Sequence, residues 1–544
     1  MKSHVVPSLS SALFLLLVAG VPRNARGVDV TINWNDVRQE IVGFGASCAN
    51  ENGARMMGVP EPARTQMFDA LFDSVKGIGF TIVRCDQPYA LLDASGNMVN
   101  WDVSYPVAGT FANQAAIMKE AQKRGVAKFW AAPWTPPPMW KQSNQMGGGG
   151  SLLRSHYQDY ANYQSRFVRE CKARYGISLM GISVQNEPQF DPSYGGCPWS
   201  GADIRDYIRD YLGPTLKRDS VKISIIAAES NWNEPQYIDP TMDDPNAAKY
   251  VDIVGFHQYT GGPRIYSKAF SHGKQVWETE MSNYTSDNSA AYGCDYAIAI
   301  WDNFTTGEVN AWHYWWFMMT GGFVQYQNNQ LNLGKVIYFF GHYSKFVRPG
   351  FRRITCTPAQ TTGPGNGKIC ISAFKNLSSG RFAIVVANRD IVKPQPLITY
   401  HFNELSPAVV TPYLTSSEIA TQNIEKQPDI PVVNGTFSYM LPNVSIVTFV
   451  GQGTPTLVER KPAIQPVSTL PSAAVAAGDI RLHMPNPAVG TATLVDLAGR
   501  TVARWTVKAL TEQTFAVSSS LPRQVYHFYL TAAGQSLALE VLCR

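Results

Sequence analysis

The stretch "ISVQNEPQF", Ile182 to Phe190, runs from an alternating apolar segment into a polar pair, Asn186-Glu187, and is closed by Pro188. Alternation of this kind reads as a buried strand. A residue that precedes proline is held in extended or turn geometry, so Glu187 falls at the strand's end. Burying a carboxylate without a partner is costly, and one placed here is better read as presented to a cleft. The test of that reading is whether a second carboxylate ends another strand of the same sheet.

Working outward, eight short apolar segments recur between residues 39 and 348: "EIVGFGAS", "FTIVRCD", "KFWAAPW", "LMGISVQNE", "ISIIAAES", "VDIVGFHQY", "QVWETEMS" and "VNAWHYWWF". Most are separated by helical patterns. In "HYQDYANYQSRFVRECKARYG", Tyr157, Tyr160, Ala161, Phe167, Val168, Cys171 and Tyr175 recur at helical spacing, and Gly176 supplies a stop. Eight strands alternating with helices predict an α/β chain with a (β/α)8 TIM barrel over 39–348. The alternative is an open doubly wound sheet, but no GxGxxG turn follows an early strand. "MGGGGS" (Met146 to Ser151) is expected to be a flexible loop rather than a phosphate cradle.

The 544 residues leave room for further domains. Over 349–452 the period changes to two, in "KICISAF", "RFAIVVANR", "LITYHF" and "SIVTFVG", which predicts a β-sandwich side domain. The early strand 28–38 is expected to join it. Residues 453–475, rich in Pro, Ala, Ser and Thr, read as a linker, and 476–544 as a small C-terminal all-β domain. Residues 1–27 read as a signal peptide, with Lys2 ahead of the apolar run Ala12 to Gly20, which is too short to span a bilayer. A secreted protein, extracellular or at the cell surface, is therefore expected, with no membrane span.

Composition narrows the function. Charged residues make up only 16% and the formal net charge is +5 without a Lys/Arg run, so a nucleic-acid partner is not indicated. Aromatic residues reach 12%, and aromatic rings suit the flat C–H faces of sugars. Eight Cys are too few for a disulfide framework; Cys356 and Cys370 either staple a hairpin or are two separate buried thiols. Nothing resembles CxxC, HExxH or a Cys/His cluster at zinc spacing, so no metal or cofactor is expected. A monomer is expected.

In a (β/α)8 barrel the chemistry lies at the C-terminal strand ends. Here those ends carry Arg84 and Asp86, Trp134, Asn186-Glu187, Glu229, His257 with Tyr259, Glu278 and Glu280, and Trp312 to Trp316. Two carboxyls on well-separated strands, among Asn, His, Tyr and Trp, are what glycoside hydrolysis requires: one protonates the leaving oxygen and the other attacks or assists at the anomeric carbon. Glu229 reads as a structural partner, Arg84 as the cation that keeps a carboxylate ionised, and His257 as a supporting histidine.

With Asn186-Glu187-Pro188 and "WETE" in place, the chain resembles family 30 glycoside hydrolases. "FGAS", "APWTPPPMWK", "GISVQNEP", "DIVGFHQY", "VWETEMS", "YWW" and "SKFVRPGFRRI" fall in that family's order. The resemblance implies Glu187 as acid/base and Glu280 as nucleophile, with Glu278 two residues earlier on the same strand face. It implies that Asn186 binds the sugar 2-hydroxyl and that Trp134, Tyr259 and Trp315 line the subsite of the attacked sugar. His257, Arg84 and Trp199 complete the expected substrate-binding set. It also implies retention of configuration, hence carboxyls about 5–5.5 Å apart rather than about 6.5–9.5 Å.

Within the family the likeness is to bacterial xylanases, which implies an endo-β-1,4-xylanase acting on plant cell-wall xylan. That branch often grips a glucuronic acid side group with an arginine soon after the eighth strand. Here Met318-Met319 stand in that stretch and no Arg lies between Trp316 and Arg348, so little dependence on glucuronate is expected. Rival readings are the same chemistry on a β-1,6-galactan or β-1,6-glucan, and a non-catalytic polysaccharide binder. "MPNPAVG" and "VDLAGRTVARW" resemble the C-terminal sorting domains of bacteria that export proteins by the gliding-associated route.

Overall fold

The computed structural model describes residues 27–453 apart from residue 51 and residues 93–97, 104–110, 284–286, 319–321 and 393–394; beyond 453 it describes the strands named below. The expected signal peptide up to residue 26, most of the expected linker, Met319 and "MPNPAV" lie outside the described residues.

Eight parallel strands close a barrel in chain order: β1 (Gly43–Ser47), β2 (Ile82–Gln87), β3 (Lys128–Pro133), β4 (Gly181–Ser183), β5 (Ser224–Asn231), β6 (Val251–His257), β7 (Gln275–Glu280) and β8 (Ala311–Trp316). Each coincides with one of the eight segments read from the sequence, β2 and β5 running one residue past theirs, to Gln87 and Asn231. Closure comes from β8 pairing with β1, Trp312 opposite Phe44. The strands are apolar on both faces because both are covered. On β3, Trp130 and Ala132 join an interior cluster with Trp277, Ile226 and Ile253. Phe129 and Ala131 on the same strand join the outer cluster under the helices. Helix α1 (Tyr157–Tyr175) buries Tyr157, Tyr160, Ala161, Phe167, Val168 and Cys171 and ends at Gly176, whose φ of 66° lies in the left-handed region open to glycine.

The side domain is one curled sheet of eleven strands. The N-terminal strand Val28–Glu40 runs through it, antiparallel to Phe351–Thr357 and parallel to Leu397–Asn403. Strand Arg381–Asn388 shows what its sequence does. Phe382, Ile384 and Val386 fill the sheet's own core, while Ala383, Val385 and Ala387 belong to the cluster that continues into the barrel's helices. The small Ala383 and Ala387 face the barrel with Val385, and the larger Phe382 and Ile384 face inward with Val386. Cys356 lies opposite Ile32, Cys370 lies opposite Ala387, and both are buried free thiols. The staple is therefore absent, and the second of the two readings holds.

Beyond Leu457 the chain forms a separate compact unit. It contains a three-stranded sheet (Ser472–Ala476, Asp479–His483, Glu512–Ala516) and a four-stranded sheet (Gly490–Val495, Thr501–Val507, Val525–Ala532, Gln535–Leu542). Among the described residues, no helix is long and apolar enough to cross a membrane.

Candidate active site

The site is built where β2, β4, β5, β6 and β7 end. Arg84, fully buried on β2, is its hub. One guanidinium nitrogen donates to Glu280 on β7. The other donates to Asn186 after β4 and to Glu229 on β5, the latter at 3.0 Å. Tyr259, just past β6, donates its hydroxyl to the second oxygen of Glu280 at 2.7 Å. His257 ends β6 and places Nδ1 at 3.2 Å from Glu187 and Nε2 at 3.7 Å from Glu229. An oxygen of Glu187, an oxygen of Glu280 and a ring nitrogen of His257 all lie within 4.8 Å of one another.

Local backbone aims these groups. Glu187 (φ 48°) and Glu229 (φ 57°) both occupy the left-handed region, which costs a non-glycine residue on the order of 1–3 kcal/mol and clusters at functional sites. On β5 the pairing with β6 slips between Ala228 and Ser230, so Glu229 is an inserted residue. On β7 it slips between Glu278 and Glu280, so the two carboxyls do not share one environment as an unbroken strand would have it. Glu278 instead accepts from the Trp232 indole at 2.8 Å, within the outer apolar layer that holds Trp232. Sequence spacing alone carries no sign of either slip.

Charge follows from these contacts. Burial works against the charge on Arg84, but Glu229 and Glu280 outweigh it and raise its pKa. Burial likewise opposes a charged His257, yet Glu280, Glu187 and Glu229 lift it from 6.5 to about 10, so it is an imidazolium at neutral pH. Burial would push Glu229 up, and Arg84 with His257 holds it below the usual range. Burial raises Glu280, with His257 and Arg84 pulling the other way and Glu187 adding to the rise. Glu278 is raised well above the carboxylate range by burial. Two cations thus face three carboxyls, Glu187, Glu229 and Glu280, and a single proton among the three makes the cluster neutral.

Arg84 also lies over the rings of Trp134 at 4.9 Å and Trp315 at 5.4 Å, and those two rings are 5.4 Å apart. The structure therefore gathers Glu187, Glu280, Asn186, Arg84, His257, Tyr259, Trp134 and Trp315. It does not gather Trp199. That ring packs against Tyr157 and Tyr207 in the helical layer, and only its backbone N–H reaches the site's loop, at the Pro188 carbonyl. Glu187, His257 and Glu280 are spaced so that they could hold a metal ion.

One device escaped the sequence reading. The glycines of "MGGGGS" were expected to be loose; instead the N–H groups of Gly148, Gly149 and Gly150 grip the carboxylate of Asp191, four residues past Glu187. They form an anion nest filled by the protein itself.

The barrel segment 41–315 matches the family model described as the glycosyl hydrolase family 30 TIM-barrel domain. The chain belongs to glycosyl hydrolase family 30. It is thus a glycoside hydrolase. This family 30 chain is 27% identical over 447 residues to glucuronoxylanase XynC of Bacillus subtilis, covering 80% of its own length and 94% of the relative's. Among solved structures it resembles the subfamily 8 xylanase Xyn30A from Clostridium acetobutylicum, at 30% identity and TM-score 0.65, over 78% of this chain and 99% of that one. It also resembles a GH30 endoxylanase from Clostridium papyrosolvens C71, at 26% identity and TM-score 0.63, over 78% and 100%.

Proposed function

We propose that this enzyme is a secreted, endo-acting β-1,4-xylanase that retains anomeric configuration and does not depend strictly on glucuronic acid side groups. The observation that carries the mechanism is the approach of Glu187 and Glu280 to within 4.8 Å, oxygen to oxygen. That is shorter than the separation of about 6.5–9.5 Å with which an inverting enzyme seats its water, and nearer the about 5–5.5 Å of retaining enzymes. Xylanase relatives that cover most of the chain support the substrate class.

In this reading Glu280, as a carboxylate hydrogen-bonded by Arg84 and Tyr259, attacks the anomeric carbon. Glu187 gives its proton to the leaving oxygen. Once Glu280 is a neutral ester, one negative charge has left the cluster, and Glu187 can take a proton from the water that hydrolyses the ester. His257 stays protonated beside Glu187 and steadies it as a carboxylate between the two steps. Asn186, oriented by Arg84, binds the 2-hydroxyl, and Trp134 with Trp315 walls the attacked sugar.

Independence of glucuronate rests on composition. A bidentate clamp needs a guanidinium, the stretch from Phe317 to Val347 holds no Arg, and Met318 is buried. Secretion rests on the N-terminal pattern, and we assign the C-terminal unit to sorting at the cell surface. Truncation after residue 453 is then expected to keep activity and change location. Digestion of linear and glucuronate-decorated xylan, β-1,6-galactan and pustulan, with products resolved by size, tests the substrate. Comparable rates on both xylans, with mixed oligosaccharides, are expected. Cleavage confined to decorated xylan overturns the glucuronate claim, and cleavage confined to a β-1,6 polymer overturns the xylanase reading.

A further inference from the structure

The chain contains 13 Trp, 25 Tyr and 25 Phe. Yet among the described residues only two aromatic rings stand with the large exposed hydrophobic side chains, Phe190 at 47% and Tyr194 at 49%. They follow Glu187 by three and seven residues on one loop. Their ring centroids are 6.5 Å apart at 68°. Leaving two such rings in water forfeits the burial that every other described aromatic gains at least in part.

The loop that exposes them is firmly mounted. The Phe190 N–H donates to the Glu187 carbonyl at 2.9 Å, fixing the first ring relative to the proposed acid. Asp191, between the rings, is held by the three glycine N–H groups. The buried Lys141 ammonium donates to the carbonyls of Met146 at 2.8 Å and Gly196 at 2.5 Å, closing the far end of the loop onto the glycine segment. A Cβ on Gly147 would lie 1.9 Å from the Pro192 carbonyl oxygen, so the two loops touch backbone to backbone. Rings that are exposed and yet anchored are preorganised to receive a flat apolar face, and the C–H face of a pyranose is one.

We infer that Phe190 and Tyr194 form a stacking subsite for sugar units on the leaving-group side of the scissile bond. The inference rests on Glu187 being the acid. The acid touches the departing oxygen, so rings mounted on its own loop meet the departing chain, while Arg84, Trp134 and Tyr259 surround Glu280 and the attacked sugar.

The test compares xylan with an aryl xylobioside, which has no sugar on the leaving side. The Phe190→Ala/Tyr194→Ala double variant is expected to lose about 10-fold or more in kcat/KM on xylan and to stay within about twofold on the aryl substrate. Phe190→Tyr and Tyr194→Phe, which keep the stacking faces, are expected to stay near the parent on both. Equal losses on both substrates, or no loss on either, overturn the subsite. Glu187→Gln tests the underlying reading separately. A large loss on xylan with a small one on a dinitrophenyl xylobioside, whose leaving group needs no proton, supports the acid assignment. Equal losses on those two overturn the acid assignment itself, whatever the double variant shows.

Discussion

His257, at the end of β6, and His313, inside β8, are both fully buried in one barrel, yet they hold opposite charge states. Below the site, His313 accepts from the Trp130 indole at 3.2 Å and donates Nδ1–H to the Glu278 carbonyl at 2.9 Å. Both ring nitrogens are satisfied by neutral groups, and burial brings its pKa down to about 4. At the strand ends His257 faces Glu187, Glu229 and Glu280 and rises to about 10. Removal from water discharges an imidazole by itself, and only carboxylates close at hand reverse that. The barrel interior is a packed apolar layer, whereas the strand ends, one layer above, concentrate charge that the rest of the fold must hold in place.

The sharpest way to break this contrast is to remove the charges that the proposed mechanism uses. Glu280→Gln should lower kcat by roughly 10⁴-fold or more with xylan affinity retained, measured by initial rates and by binding to insoluble xylan. Glu187→Gln should cost about 10²–10⁴-fold on xylan. Next comes the hub. Arg84→Met leaves buried Glu229 and Glu280 with His257 as their one remaining cation and should destabilise the fold by about 3–5 kcal/mol, read as a lower midpoint in urea.

The histidines should then separate by pH. His257 holds its proton in the fold where the unfolded chain releases it. Its contribution is full below about 6.5 and lost as pH rises through about 10. His257→Gln should flatten that alkaline decline in Tm. The unfolded chain protonates His313 below about 6.5 while the fold refuses the proton down to about 4, so stability falls across that acidic window. His313→Gln should flatten the acidic limb, the smallest of these effects, because His342, lowered to about 3, keeps part of it.

How legible all this was depends on the element. The eight barrel strands could be read because each is a short apolar run, and strands buried on both faces must be. Glu187 and Glu280 could be read because they end two of those runs, beside Asn186 and Thr279. The slips at Glu229 and Glu280 could not. An inserted residue in a strand leaves no mark in periodicity when both faces are apolar, and Glu229 and Glu187 carry no glycine to signal φ above zero. Trp199 misled because an aromatic near the acid in sequence can pack backward into the helical layer as easily as forward. "MGGGGS" misled because glycines that free a loop and glycines that bring N–H groups onto a carboxylate look alike until Asp191 is placed among them.

The claim everything else depends on is a covalent bond to one carboxyl, with a proton supplied by its neighbour across the gap. The direct measurement is proton NMR of the anomeric signals during the first minutes of xylo-oligosaccharide cleavage. New reducing ends should appear as the β-anomer and only later equilibrate. First appearance of the α-anomer would mean that water attacks the anomeric carbon directly, and Glu280 could not be the nucleophile.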